Sequence, residues 1–443
     1  MDYRPYFKGK KITVMGLGLL GRGVGDAKFL AEQGAHLTIT DLKSSTALRP
    51  SFDKLRTYKN IEYVLGKHRL EDFRNKDFIL KAAGVPIDSP YIKEARKNKI
   101  PVEMSATIFA KFSKIPMIGI TGTRGKSTVT HMIAHILESA GKKVVLGGNV
   151  RGVSNLELLK KANPPAGGDV AVFELDSWQL QGFGDNKTSP GIAVFTTFYP
   201  DHMAYYGKKM KRYFTDKANI FKYQKKGDVL VAGSQAMPFI KKWGGKTKSK
   251  IISPKSMDLK LRILGGHNLY NASLAISAVK AVGIKEKTAM EALQSFKGVE
   301  GRLQFVREVK GVKYYNDTTA TTPEATIAAL RALGDRTAKL KNIVLILGGS
   351  DKSLDMRNLI KEIPKYTKSV VLLPGTGTDR LESGKLKVKS YKVKNLEETV
   401  KKSLGLASRG DIILLSPAFA SFGMFKNEYD RGDQFMKIVK QLK

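Results

Sequence analysis

Short apolar runs alternate with stretches of helical spacing along the whole chain. Residues 11–16 (KITVMG) predict a buried strand, a Gly-rich turn follows, and residues 24–33 predict a helix leading to a strand at 37–40. Together these make one βαβ unit. A further apolar run at 116–121 enters a second Gly-rich loop. Beyond it Val129, Met132, Ile133, Ile136 and Leu137 fall at i, i+3, i+4, i+7 and i+8, the spacing of a helix with one core-facing stripe. More β-type runs lie at 170–175, 192–197, 228–232, 343–347, 370–373 and 412–415. Strands alternating with helical segments predict an α/β protein built on parallel sheets throughout.

The 443 residues exceed one ordinary core, and roughly 100 to 200 residues per domain suggests two to four domains. Breaks are predicted ahead of the second Gly-rich loop and near Glu300-Gly301, giving domains 1–108, 109–300 and 301–443. Hydrophobic residues at 42% and aromatics at 9% exclude global disorder. The N-terminus carries no apolar signal region and no stretch is long enough to span a bilayer, so a cytoplasmic protein with no membrane partner is expected. The absence of cysteine excludes disulfides, thiolate metal sites and cysteine nucleophiles. A formal charge of +37 would attract polyanions. The lysines are dispersed, as in Lys208-Lys209, Lys225-Lys226, Lys241-Lys242 and the run 385–394, which favours solvated faces over a nucleic-acid patch.

Gly16-x-Gly18-x-x-Gly21, followed by Asp41 at the tip of the next strand, has the spacing of a dinucleotide-binding fingerprint. Such a turn suits any nucleotide diphosphate, and read alone it also suits an NAD-dependent dehydrogenase. The segment 121–128 (TGTRGKST) lies between a strand and an amphipathic helix, as a P-loop does. Backbone N–H groups at Gly122 and Gly125 can wrap phosphate oxygens, Lys126 can neutralise the β- and γ-phosphates, and Ser127 can ligate Mg²⁺. Ile120 stands where the usual first glycine would be, so the loop is a variant. Glu174 ends the run Val170-Ala171-Val172-Phe173, where a magnesium ligand belongs, and His202 follows the strand at 192–197. His131 and His135 share a helix face without the third ligand of a zinc site, and read as packing residues.

With these blocks in order the chain resembles the Mur ligases along nearly its whole length. TGTRGKST is similar to the family P-loop, with Arg124 where Asn is usual. GGN at 147–149, ELDSWQL at 174–180, DH at 201–202, GHNLYNA at 266–272, GR at 301–302 and NDTTAT at 316–321 continue the match. GLGLLG at 16–21, LGGSDK at 347–352 and LSPAFASFGMFKNEYDRGDQF at 415–435 resemble the D-glutamate-adding members most. Two further departures, Thr319 for a lysine and Glu428 for an aromatic, bear on the amino acid added.

The resemblance implies an N-terminal Rossmann-like UDP-binding domain, a central P-loop ATPase domain and a C-terminal Rossmann-like domain that binds the amino acid. It gives Gly122, Thr123, Gly125, Lys126, Ser127 and Thr128 to the ATP phosphates, and Asn271, Arg302 and Asp317 to its adenosine part. Two Mg²⁺ sites are implied, one held by Ser127 and Glu174, the other by His202 and a carbamylated Lys217. Gly18, Leu19, Leu20, Asp41 and Gly84 match the UDP pocket, Asn149 and His202 lie by the muramoyl substrate, and Thr321, Lys352, Ser421 and Phe422 face the amino acid. The partners implied are ATP, UDP-N-acetylmuramoyl-L-alanine and D-glutamate, acting on a monomer. A carboxylate attacks the γ-phosphate and an amine then displaces phosphate from the acyl phosphate. Lys126, His202 and Lys217 would serve catalysis. A folyl- or poly-γ-glutamate ligase and a basic nucleic-acid-binding ATPase stay open as alternatives.

Overall fold

A computed structural model of the chain describes residues 2–19, 21–163, 168–334, 341–383 and 386–442. The chain divides into two compact units, residues 1–257 with 270–293, and residues 258–269 with 294–443.

The first unit carries two parallel sheets. Strands β1 (Lys11–Met15), β2 (His36–Asp41), β3 (Ile61–Leu65), β4 (Phe78–Lys81) and β5 (Val102–Glu103) are ordered β3-β2-β1-β4-β5. The order reverses at β1, so the loops after β1 and β4 leave one edge on either side of a crevice. The helix Arg22–Glu32 begins ahead of the predicted residues because Gly21, at φ 86°, closes the preceding turn. Strands β6 (Met117–Thr121), β7 (Val144–Gly148), β8 (Val170–Glu174), β9 (Ile192–Phe195), β10 (Val229–Ala232) and β11 (Lys250–Ile252) form the second sheet, ordered β11-β10-β9-β6-β8-β7. With β6 between β9 and β8, the loops after these three strands leave the same edge side by side. One apolar core runs through both sheets, and within it Phe109 stacks on Phe173 at 4.4 Å. The break expected between 108 and 109 falls inside the helix Ser105–Phe112, which carries Phe109 and Phe112 into that core.

The second unit holds β12 (Gln304–Val309), β13 (Val312–Asn316), β14 (Ile343–Gly348), β15 (Thr367–Leu373), β16 (Ser390–Lys392) and β17 (Ile412–Leu415), ordered β12-β13-β17-β14-β15-β16. The expectation of parallel sheets throughout needs correction here, because β12 and β13 pair antiparallel. Lys310 (φ 52°) and Gly311 (φ 78°) form a two-residue turn with both residues left-handed, the geometry of a tight hairpin. Apolar clusters cover both faces of this sheet. Among the described residues no helix is long and apolar enough to cross a membrane.

Candidate active site

At the end of β6 residues 122–125 turn into the helix Lys126–Ser139. Glycine is required twice. A Cβ at Gly122 (φ 141°) would fall on Thr196 Oγ1, and one at Gly125 (φ 86°) would lie 2.7 Å from Asn271 Oδ1. Asn271, given to the adenosine part of ATP by the resemblance, comes from the helix His267–Lys280 and sits against this loop. The segment after β9 holds the loop: Thr123 N donates to Thr197 O (2.7 Å), Arg124 N to Thr197 Oγ1 (2.9 Å) and Thr196 Oγ1 to Arg124 O (2.5 Å). Lys126 Nζ donates to Gly122 O (3.1 Å) and Thr123 O (3.3 Å). Ser127 and Thr128 complete the helix's first turn, and a helix N-terminus favours anions.

Glu174 closes β8 beside β6 and is buried. Its carbonyl accepts Asn149 N at 2.6 Å, and Asn149 Oδ1 accepts Arg22 Nη1 at 2.8 Å. His202 lies on the loop after β9 with its backbone at φ 53° and its ring 4.6 Å from that of Trp178. Burial pulls the His202 imidazole pKa down; Asp201 opposes this, and the Lys217 and Lys126 charges add to it. Burial alone would raise the Asp201 carboxyl, but His202, Arg124 and Lys126 together hold it below its ordinary value. Arg124 Nη1 is 3.2 Å from Asp201 Oδ2. Asp176 exchanges hydrogen bonds with Gln179 (2.8 and 3.1 Å) where the helix Gln179–Asp185 begins.

Lys217, in the helix Met210–Ala218, is fully buried at the same edge. Its Nζ donates to Gly122 O (2.8 Å) and Thr121 Oγ1 (3.4 Å) and lies 4.9 Å from the centre of the Tyr213 ring. Burial, and then the Lys126 charge, push its pKa well below that of an ordinary lysine, against Asp176, Asp201 and Glu174. His131 Nδ1 lies 2.8 Å from Ser127 O, one turn back in its own helix, and His135 Nε2 3.0 Å from Ala292 O in the helix Glu286–Leu293.

On the first sheet Asp41 organises the glycine turn: its carboxylate accepts Gly18 N (3.1 Å) and Lys43 N (2.9 Å), while Gly18 O accepts Ser51 Oγ (2.9 Å). Leu19 is exposed, and Leu20 lies outside the described residues. The Gly84 loop adjoins this turn, since a Cβ at Gly16 would lie 3.0 Å from Ala82 Cβ. Sequence reasoning missed Lys81, which is buried at the end of β4 and donates to Val85 O (2.7 Å) and Ala82 O (3.2 Å). Burial pulls its pKa down to about 8. A lysine ending the apolar run Phe78-Ile79-Leu80 was the available signal.

In the second unit Asp317 follows β13 and is buried, accepting Leu303 N (3.0 Å) and Ser416 Oγ (2.8 Å). Burial pushes its pKa up to about 7 against these bonds and the Arg302 charge. Lys352 Nζ donates to Thr321 Oγ1 (3.1 Å), and Ser350 Oγ to Phe422 O (2.6 Å). Ser421 is buried and Phe422 exposed. Thr319, standing where the family shows a lysine, spends its hydroxyl on Gly301 O (2.9 Å). Glu428 opens the helix Glu428–Gln441, where a negative charge is favourable.

Family models match the chain in three successive stretches: the Mur ligase MurD-like N-terminal domain at residues 10–103, the Mur ligase middle domain at 120–255 and the Mur ligase glutamate ligase domain at 301–419. A protein of Roseiflexus sp. (strain RS-1) named UDP-N-acetylmuramoylalanine--D-glutamate ligase is 38% identical over 98% of each chain. A protein of that name from Borreliella burgdorferi (strain B31) is 35% identical over the same shares. Among solved structures, the UDP-N-acetylmuramate-alanine ligase of Thermotoga maritima shares the fold, with a TM-score of 0.64 at 21% identity over 98% of this chain and 100% of its own.

Proposed function

The chain belongs to the Mur ligase family, and we propose that it joins D-glutamate to UDP-N-acetylmuramoyl-L-alanine, driven by ATP. The observation that carries the reading is its likeness, over 98% of its length, to relatives named for that reaction. The geometry supports the reaction class. A P-loop, a buried carboxylate and a buried lysine of lowered pKa stand at one sheet edge.

In the proposed reaction a carboxylate oxygen of the acceptor bonds to the γ-phosphorus as the bond to the β-phosphate oxygen breaks and ADP leaves. The amine then bonds to the acyl carbon, phosphate departs with the C–O electron pair, and the amine gives up a proton. Lys126 offsets the repulsion between carboxylate and triphosphate, and the loop amides hold the phosphates in line. Ser127 with the buried Glu174, and His202 with Lys217, offer the oxygen and nitrogen donors for the two Mg²⁺ ions implied by the resemblance. When bound, these ions would neutralise charge on the transferring phosphoryl group. Lys217 fits this role as a carbamate, because a neutral amine is the form that adds CO₂ and burial favours it. Asp41 and Gly18 would receive the UDP group, and Thr321, Lys352, Ser421 and Phe422 the amino acid.

The test is phosphate release and ligated product, measured across a panel of UDP-muramoyl acceptors and amino acids. D-glutamate with UDP-N-acetylmuramoyl-L-alanine should turn over fastest, and Lys126→Ala should abolish it with the fold intact. Faster turnover with another pair, or ATP hydrolysis stimulated by nucleic acid and by no muramoyl acceptor, would overturn the reading.

A further inference from the structure

We infer that Arg431 is a positioning residue for the incoming amino acid, tying the loop after β13 to the loop after β17. The inference rests on the reading that Thr321, Lys352, Ser421 and Phe422 receive that amino acid.

Arg431, in the helix Glu428–Gln441, is 0% exposed and, among the described residues, the largest side chain so deeply buried. A buried guanidinium has five N–H donors to satisfy, and leaving them unmet is costly. Here they meet two loops and, among the described residues, no carboxylate at bonding distance. Nε donates to Thr318 Oγ1 (3.1 Å) and Nη2 to Thr318 O (2.8 Å), while Nη1 and Nη2 reach Phe419 O at 3.4 and 3.5 Å. Thr318 Oγ1 in turn donates to Glu428 O (2.7 Å), and a Cβ at Gly432 would lie 2.6 Å from Thr318 Cγ2. The helix thus presses its backbone onto the first loop and reaches the second through Arg431.

These are the loops that carry the proposed amino-acid contacts. Thr321 is three residues beyond Thr318, and Ser421 is two beyond Phe419. The loop after β14 closes a triangle with them, through Lys352 to Thr321 and through Ser350, which bridges to Ala420 and donates to Phe422 O. Ala418 N also donates to Ala320 O (2.9 Å), so the two loops stay adjacent when Arg431 is replaced. An apolar side chain would fill the same volume without desolvating a charge. It could not hold the Phe419 carbonyl and the Thr318 hydroxyl at a fixed separation, which is the property a two-sided carboxylate site needs.

The experiment compares Arg431→Lys, Arg431→Met and Thr318→Val in the full chain, reading KM for each substrate and the thermal unfolding midpoint. In each folded variant KM for D-glutamate should rise about ten-fold or more, while KM for the UDP-muramoyl substrate stays within about two-fold. Added guanidinium should lower the D-glutamate KM of a fourth variant, Arg431→Ala, whose truncated side chain leaves room for it, and leave that of Thr318→Val unchanged. A fall in kcat with D-glutamate KM unmoved in Thr318→Val, the mildest of these changes, would show a merely structural role and overturn the inference. A wild-type chain that forms no D-glutamate product would remove the functional reading itself and this inference with it. An active wild type with unmoved KM values in the variants would sink the inference alone.

Discussion

Lys217 shows how far surroundings can change a side chain's chemistry. An exposed lysine is protonated and repels a cation, but burial and the nearby Lys126 charge favour the neutral amine here. That amine can add CO₂ and release a proton, turning the neutral side chain into an anionic oxygen donor of the kind Mg²⁺ prefers. Lys217→Ala should therefore be nearly inactive, and acetate or a similar short carboxylate should restore part of the activity; wild-type turnover in the variant without added acid would sink the assignment. Asp317 shows the opposite displacement, with its pKa raised from 3.8 to about 7 by burial. Between those two values the folded chain keeps a proton that the unfolded chain releases. This contribution to stability is largest at low pH, falls as pH rises through the window and levels off above about 7. Replacement by Asn removes the titration. Stability of the wild type relative to Asp317→Asn should drop by on the order of a few kcal/mol between about pH 4 and 8, measured by denaturant unfolding. A difference that does not vary with pH would show that Asp317 is not held protonated.

At the scale of elements the proposed site is a set of strand ends. β6, β8 and β9 deliver the P-loop, Glu174 and the segment leading to His202 because they are neighbours in one parallel sheet. Gly148, at φ 83° where β7 ends, tests this arrangement, since a Cβ there would fall on the Glu174 carbonyl and lie 2.9 Å from its nitrogen. Gly148→Ala should lower stability by about 1 to 3 kcal/mol and raise the Mg²⁺ concentration giving half-maximal activity. An unchanged Mg²⁺ requirement in the folded variant would mean that Glu174 takes no part in holding the metal. Much of this frame was legible in the sequence. β1, β6, β8 and β17 are buried strands whose apolar runs stand out. The edge strand β3 was missed because its residues are mostly half-exposed and Glu62 interrupts the pattern, and β12, also an edge strand, because Val309 alone of its residues is buried while Phe305 and Glu308 are exposed. The loop between β6 and the helix Lys126–Ser139 was legible because its glycines and lysine are contiguous. The contacts of Lys217 with Gly122, of Arg124 with Asp201 and of Arg431 with Thr318 were not, because each joins residues 77 or more positions apart that only the sheet order brings together.

For the whole molecule the dominant fact is the imbalance of 77 basic against 40 acidic residues. Many of the ion pairs are partly exposed, such as Lys160 with Glu32 and Lys280 with Glu286, and pairs of that kind contribute little to stability. The surplus acts instead as a long-range field, felt over roughly 8 Å at physiological salt. It should do two things at once. It should speed encounter with anionic substrates, and it should strain the folded chain by self-repulsion. Added salt would then move two measurements in opposite directions. Raising NaCl from about 50 to 500 mM should lower kcat/KM for the UDP-muramoyl substrate several-fold, with a smaller change in kcat, while the thermal midpoint rises. General damage by salt predicts that activity and midpoint fall together, and a dispersed charge with no steering role predicts a flat kcat/KM. Duplex DNA at low salt separates the remaining reading. A surplus that serves only substrate encounter leaves turnover insensitive to DNA at concentrations well below substrate, whereas strong inhibition there, relieved by salt, would mark a built polyanion surface and overturn the steering account.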